Sequence, residues 1–156
     1  MPTSFCRHDH GACIDDALTR AEAISATRGV RLTALRRRVL ELIWRSHKPA
    51  GAYDILDALG KEHTGAAPPT VYRALAFLTQ NGFVHRIESQ NAYVGCPKPD
   101  ADHTGQFLIC RDCGQAAELN DKRIVALIAQ SAEKNGFAAD APTIEIEGVC
   151  AACQKR

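Results

Sequence analysis

Apolar residues recur at helical spacing through most of the first half of the chain and at strand spacing in short stretches after it. In 14–28, Ala17, Ala21 and Ile24 share one side and Gly29 stands where a C-cap glycine belongs, which predicts a helix. The pattern returns over 34–45, where Leu35, Val39, Leu42 and Ile43 fall at i, i+4, i+7 and i+8 behind Thr33 as N-cap. Arg36, Arg37, Glu41 and Arg45 lie off that stripe. A shorter helix is predicted over 52–59, with Ile55, Leu56 and Leu59 apolar and Gly60 ending it. Pro68 and Pro69 then set the start of a fourth, over 70–80, stopped near Asn81-Gly82. Its apolar face holds Val71, Ala74, Leu75 and Leu78; the opposite face carries Thr70, Arg73, Phe77 and Gln80, with Tyr72 at its flank.

Two alternating segments, 83–88 and 92–95, joined by Ser89-Gln90-Asn91, read as a β-hairpin. Three helices, a proline-set fourth and a hairpin are the parts of a winged helix-turn-helix, a fold that buries one face of its recognition helix and offers the other to a DNA major groove. Arg73 is the best candidate there for a guanine edge or a phosphate, although a solvated helix face has the same composition. Cys96-Pro97-Lys98-Pro99-Asp100 breaks the pattern and reads as a linker. Beyond it, 106–110 and 116–119 are strand-like and Asp121 caps a helix over 122–135, with Ile124, Leu127 and Ile128 expected to face inward. A last strand is predicted over 143–147. The expectation is an α+β chain: a tail at 1–13, a winged-helix unit at 14–95, a linker and metal-binding loop at 96–105, and a small α/β unit at 106–156.

Composition changes this picture little: 46% hydrophobic and 24% charged residues are ordinary for a globular chain. No apolar run approaches a membrane span and the N-terminus lacks a signal-peptide core, so a cytoplasmic protein is expected. The net charge of +1 hides an asymmetry: residues 1–95 carry 12 Lys+Arg against 9 Asp+Glu, hence +3, while 96–156 carry 7 against 9, hence −2. A mildly basic front half is compatible with nucleic acid.

Cysteine changes the picture more. Cys110-Arg111-Asp112-Cys113 and Cys150-Ala151-Ala152-Cys153 are dithiol turns, and two residues between cysteines let both sulfurs point into one half of a tetrahedron. Together they supply the four thiolates of a closed structural zinc site. Disulfides, inert thiols and a redox pair are the alternatives, and a reducing compartment turns them toward metal. From the linker onward the chain has about sixty residues, a size at which a metal or a partner subunit commonly supplements the core. A second collection, His85, Cys96, His103 and Glu118, has the composition of a four-coordinate mixed site whose sulfur suits Zn2+ better than Fe2+, although its spacing alone is a weak signal. Cys6, His8, His10 and Cys13 are candidate weak metal ligands in the polar tail. No phosphate loop, GxSxG or HExxH is present, so no enzyme is expected.

Val30-Arg31-Leu32-Thr33, Ala52-Tyr53-Asp54-Ile55-Leu56, Pro68-Pro69-Thr70-Val71-Tyr72-Arg73-Ala74-Leu75, Gly82-Phe83-Val84-His85-Arg86-Ile87-Glu88-Ser89 and both CxxC turns resemble the ferric uptake regulator family, most closely its zinc uptake branch. The resemblance implies a homodimer with N-terminal winged helices and a C-terminal α/β dimerisation domain, which binds operator DNA and represses zinc-uptake genes when zinc is sufficient. Carried over position by position, Cys110, Cys113, Cys150 and Cys153 match the structural zinc site and His85, Cys96, His103 and Glu118 the regulatory one, giving two zinc sites per chain. Tyr53 and Arg73 match DNA-contacting positions, with Thr70 and Tyr72 beside them. Ala34 departs from the family's proline, and the loop around His103 lacks the histidine cluster of iron-type members. The alternatives are an iron- or peroxide-responsive repressor of the same family, or a zinc-ribbon module that binds protein.

Overall fold

The computed structural model describes residues 10–62, 66–102 and 104–155. The first unit holds four helices and a small sheet: α1 (His10–Arg28), α2 (Ala34–Trp44), β1 (Ala50–Gly51), α3 (Ala52–Glu62), α4 (Pro68–Gln80), β2 (Val84–Ile87) and β3 (Ala92–Gly95). The second runs β4 (Gln106–Cys110), β5 (Ala116–Glu118), α5 (Lys122–Lys134), β6 (Ile144–Gly148) and α6 (Ala151–Gln154).

The stripes read for α2, α3 and α4 are those that pack, whereas on α1 the buried residues are Leu18, Ala21 and Ser25. Val39, Leu40, Leu42 and Ile43 of α2 meet Val71, Ala74, Leu75 and Leu78 of α4, with Ile55 and Leu59 of α3 and Phe83 closing the core. Thr33 caps α2 by accepting from the Arg36 N–H at 3.4 Å. Two helix ends and the side of one residue differ from expectation. α1 starts at His10, not residue 14, so His10 to Cys13 are its first turn; the His10 ring packs against His47 with centroids 4.8 Å apart. α3 continues past Gly60, because Arg38 of α2 reaches across to the Glu62 carboxylate, its Nε donating at 2.8 Å, and anchors the last turn. Phe77 belongs to the packed side of α4: it is partly buried against the core, and the Arg36 guanidinium lies 3.8 Å over its ring.

β3 is the centre of the first sheet, antiparallel to β2 and to the two-residue β1, which is too short to show in a sequence pattern. The hairpin turns through a single 3-10 turn, Glu88–Gln90, and Asn91 at φ 47°. In the second sheet β4 is central, antiparallel to β5 and parallel to β6, the strand that follows α5. Asp121 caps α5 as expected, accepting from the Arg123 N–H at 2.9 Å. The inward-facing stripe of α5 holds only in part: Ile124 and Ile128 are half-buried, whereas Leu127 is 62% exposed, which corrects the expectation for that residue.

The hairpin lies on the second sheet. Ile87 of β2 is buried with Phe107 and Ile109 of β4 and Ala116 of β5, and Val94 of β3 packs against the same group. Elsewhere the Ala116 N–H donates to the His47 carbonyl at 2.9 Å. Arg20 and Arg28 of α1 donate to the carbonyls of Pro97 at 2.5 Å and Pro99 at 3.2 Å, holding the connection against the first unit. No helix among the described residues is long and apolar enough to cross a membrane.

Candidate metal centres and nucleic-acid face

Cys110 ends β4 and Cys113 follows in the next turn; β6, parallel to β4, ends at Gly148 and delivers Cys150, the N-cap of α6, and Cys153 on α6 to the same place. Parallel pairing brings the two CxxC turns together, because both follow the same end of neighbouring strands. The four sulfurs lie within 4.8 Å of one another, with Cys113 and Cys150 at 3.9 Å. A tetrahedron of zinc–sulfur bonds of roughly 2.3 Å spaces its sulfurs by roughly 3.8 Å, whereas a disulfide needs about 2.05 Å. All four are free thiols. The Cys150 backbone N–H donates to Cys110 Sγ at 3.3 Å, and with further donors in the Cys113 turn it brings the Cys110 thiol down to about 6. Cys153 is pushed up to about 12, chiefly by its hydrogen bond with Cys150 and by burial. Four thiolates in this volume require a compensating cation, so the donor set fits zinc.

The second cluster spans the two units. His85 of β2 and Cys96, just past β3, come from the hairpin; Glu118 comes from β5. One ligand atom from each lies within 4.8 Å of the others, and His85 Nε2 is 3.4 Å from Glu118 Oε1. Cys96 is 3% exposed; burial, then the Glu118 carboxylate, pushes its thiol up to about 12. An imidazole, a thiol and a buried carboxylate in contact fit a divalent cation, which would neutralise the pair of potential anions. His103, the fourth residue expected here, lies outside the described residues, as do Cys6 and His8 of the tail. Among the described residues the ligand-type side chains gather in these two groups; His10 and Cys13 on α1 do not join a third.

On α4, Pro68 opens the helix and Val71, Ala74, Leu75 and Leu78 bury its inner face, which leaves Tyr72, 44% exposed, and Arg73 turned outward and Thr70 half-buried in the first turn. Tyr53 near the start of α3 is 71% exposed. Large exposed tyrosines and an unpaired-face arginine are the equipment of a nucleic-acid surface. Two features escaped the sequence. Gly95 lies against Trp44 of α2 so closely that a Cβ would run into the indole. Glu145 of β6 accepts from the backbone N–H groups of Glu88 and Ser89 at 2.6 and 3.1 Å. A glutamate alternating with isoleucine along a strand carries no signal that separates it from a solvated position.

The family model of the ferric uptake regulator family matches residues 27–147. The zinc uptake regulation protein of Escherichia coli (strain K12) is 44% identical over 139 residues, covering 88% of this chain and 81% of that protein. Among solved structures, a zinc uptake regulator complexed with zinc and DNA superposes with a TM-score of 0.85 at 43% identity, covering 91% of this chain and 95% of its own. Holo XcZur gives a TM-score of 0.81 at 45% identity, covering 89% and 97%; apo XcZur gives 0.53 at 44% identity, covering 90% and 97%. Identity to the two forms is nearly equal, so the difference in fit is one of arrangement, in which this chain is more similar to the holo form.

Proposed function

This chain belongs to the ferric uptake regulator family, and on that premise we propose that it is a zinc-responsive repressor, which binds operator DNA as a zinc-loaded homodimer and represses zinc-uptake genes. The observation that carries this reading is the composition of the second cluster: His85 and Cys96 move with the DNA-binding unit, Glu118 with the second sheet. A site shared between two bodies is formed only in one mutual arrangement, so whatever occupies it favours that arrangement by its differential affinity. The match to the holo form supports the same coupling.

Zinc, when bound, supplies positive charge to thiolates and a carboxylate that could not otherwise share a buried volume. Cys110, Cys113, Cys150 and Cys153 would hold the structural ion. His85, Cys96 and Glu118, with His103 as fourth ligand, would hold the regulatory one. The remaining work is done by the chain. The second sheet and its open α5 face bring two copies together, and each copy offers Thr70, Tyr72 and Arg73 of α4 with Tyr53 of α3 to the duplex. Arg73 reads a base edge or grips phosphate; the tyrosines and Thr70 set register on the backbone. The protein is then a cytoplasmic regulator and not an enzyme. Cys96, a soft ligand, favours zinc over an iron or peroxide signal.

Replacing the one sulfur of the second cluster tests the reading. Cys96→Ser is expected to keep the dimer and the structural zinc while losing zinc-dependent operator binding, measured by gel shift across a zinc titration. Zinc-dependent binding retained at the parent's zinc concentration refutes it.

A further inference from the structure

Glu145 has no place in the mechanism above, yet its position in the sheet relates it to the regulatory cluster. On β4, Phe107 is paired in register with Glu118 of β5 on one side and with Glu145 of β6 on the other. Residues opposite one another on neighbouring strands point to the same face, so Glu118, Phe107 and Glu145 form one row across the sheet. That face is the one covered by the hairpin: Phe107 is 1% exposed, buried with Ile87, and its ring centroid is 5.4 Å from that of His85. The two carboxylates flanking Phe107 therefore reach the same stretch of the hairpin. Glu118 meets His85, and Glu145 takes the N–H groups of Glu88 and Ser89 at the turn.

We propose that Glu145 is a positioning residue of the metal switch: it latches the hairpin turn to the second sheet and so holds His85 and Cys96 within ligand reach of Glu118. The inference rests on the reading of that cluster as the regulatory site. Its partners are backbone donors, two consecutive N–H groups received by one carboxylate, a charge-assisted arrangement stronger than a neutral pair. The latch includes no residue of the metal cluster and biases the same two-body equilibrium that metal biases. Where only a fraction of molecules has the site assembled, the apparent metal affinity is reduced by that fraction, so a weaker latch raises the zinc needed for occupancy while leaving the ligands intact.

The test uses the full-length dimer, Glu145→Ala and Glu145→Gln, and zinc itself as the probe, titrated in competition with a chromogenic chelator. Loss of a charge-assisted pair of bonds is expected to raise the zinc concentration for half-occupancy of the second site by about tenfold in the alanine variant, and by less in the glutamine variant, which keeps one acceptor oxygen. The first zinc and the dimer stay. The half-maximal zinc for operator binding rises by the same factor, and operator affinity at saturating zinc returns to the parent value. Second-site affinity unchanged in both variants overturns the latch, as does a loss of operator affinity that saturating zinc does not restore. Should the alanine variant lose its dimer, the glutamine variant decides by the same two criteria. Affinity is read without DNA, so a parent that binds operator regardless of zinc refutes the repressor reading while the affinity shift still judges the latch.

Discussion

Gly95 is a residue whose smallness matters more than its backbone freedom. It ends β3, immediately before Cys96, and the Trp44 indole occupies the space a side chain would need. Gly95→Ala is expected to lower stability by roughly 1–3 kcal/mol, the usual cost of overpacking, and to weaken the second metal site through the displaced Cys96. Denaturant unfolding of the apo protein reads the first effect, and an unchanged midpoint would mean that the indole moves aside. Cys113 makes the opposite case, a residue whose chemistry alone decides its role. Structural zinc at such sites is linked to folding with an apparent free energy on the order of 10 kcal/mol, so Cys113→Ser should lose one zinc per chain and with it the dimer. Metal analysis alongside size-exclusion chromatography checks this, and a stable dimer with full metal content contradicts it. The cysteines were legible because two short, identical spacings admit few chemistries. Gly95 was not, because its constraint comes from an indole on another element.

Among the elements, α4 carries the argument about DNA. Its proline-set start and its stripe of Val71, Ala74, Leu75 and Leu78 could be read directly, since the 3.6-residue period separates a buried from an outward face. The place of Phe77 could not, because whether an aromatic at the edge of the stripe is covered depends on α2, which brings Arg36 over its ring. Arg73 stands clear of that packing and is exposed. If it reads a base edge, Arg73→Ala should cost about 1–3 kcal/mol of specific affinity and flatten the preference among operator variants. If it touches only phosphate, affinity falls uniformly and the slope of binding against salt shrinks by about one unit. Filter binding of operator variants at several salt concentrations distinguishes the two, and unaltered binding in every condition would place DNA elsewhere.

At the scale of the molecule, the open face of α5 is the feature the chain alone does not complete. Leu127 at 62% exposure and Ile146 of β6 at 43% leave apolar side chains open on the second unit, and a dimer interface placed there would cover them. A charge set there has nowhere to go once a second copy arrives, so Leu127→Glu should leave the monomer folded and its four-cysteine site loaded while abolishing dimers. Sedimentation at micromolar concentration checks this, and a dimer of parental strength would mean that the two copies meet on another surface.

Local chemistry and period were enough to establish the winged-helix parts, the α/β character of the second unit and the four-thiol site, because each depends on residues close in sequence or on a spacing with few readings. They also singled out His85, Cys96, His103 and Glu118 as a mixed ligand set, weakly by residue type and more firmly by likeness to a family, since these residues lie far apart in the sequence. Tertiary structure decided the rest. It laid the hairpin over β4, so that one row of the second sheet meets both the metal cluster and the turn beyond it. It also left Leu127 of α5 exposed while half-burying Ile124 and Ile128. The physical reason is the same in each case: a pattern along one element says which face is apolar or ligand-bearing, but which body covers that face is settled only when distant elements compete for it.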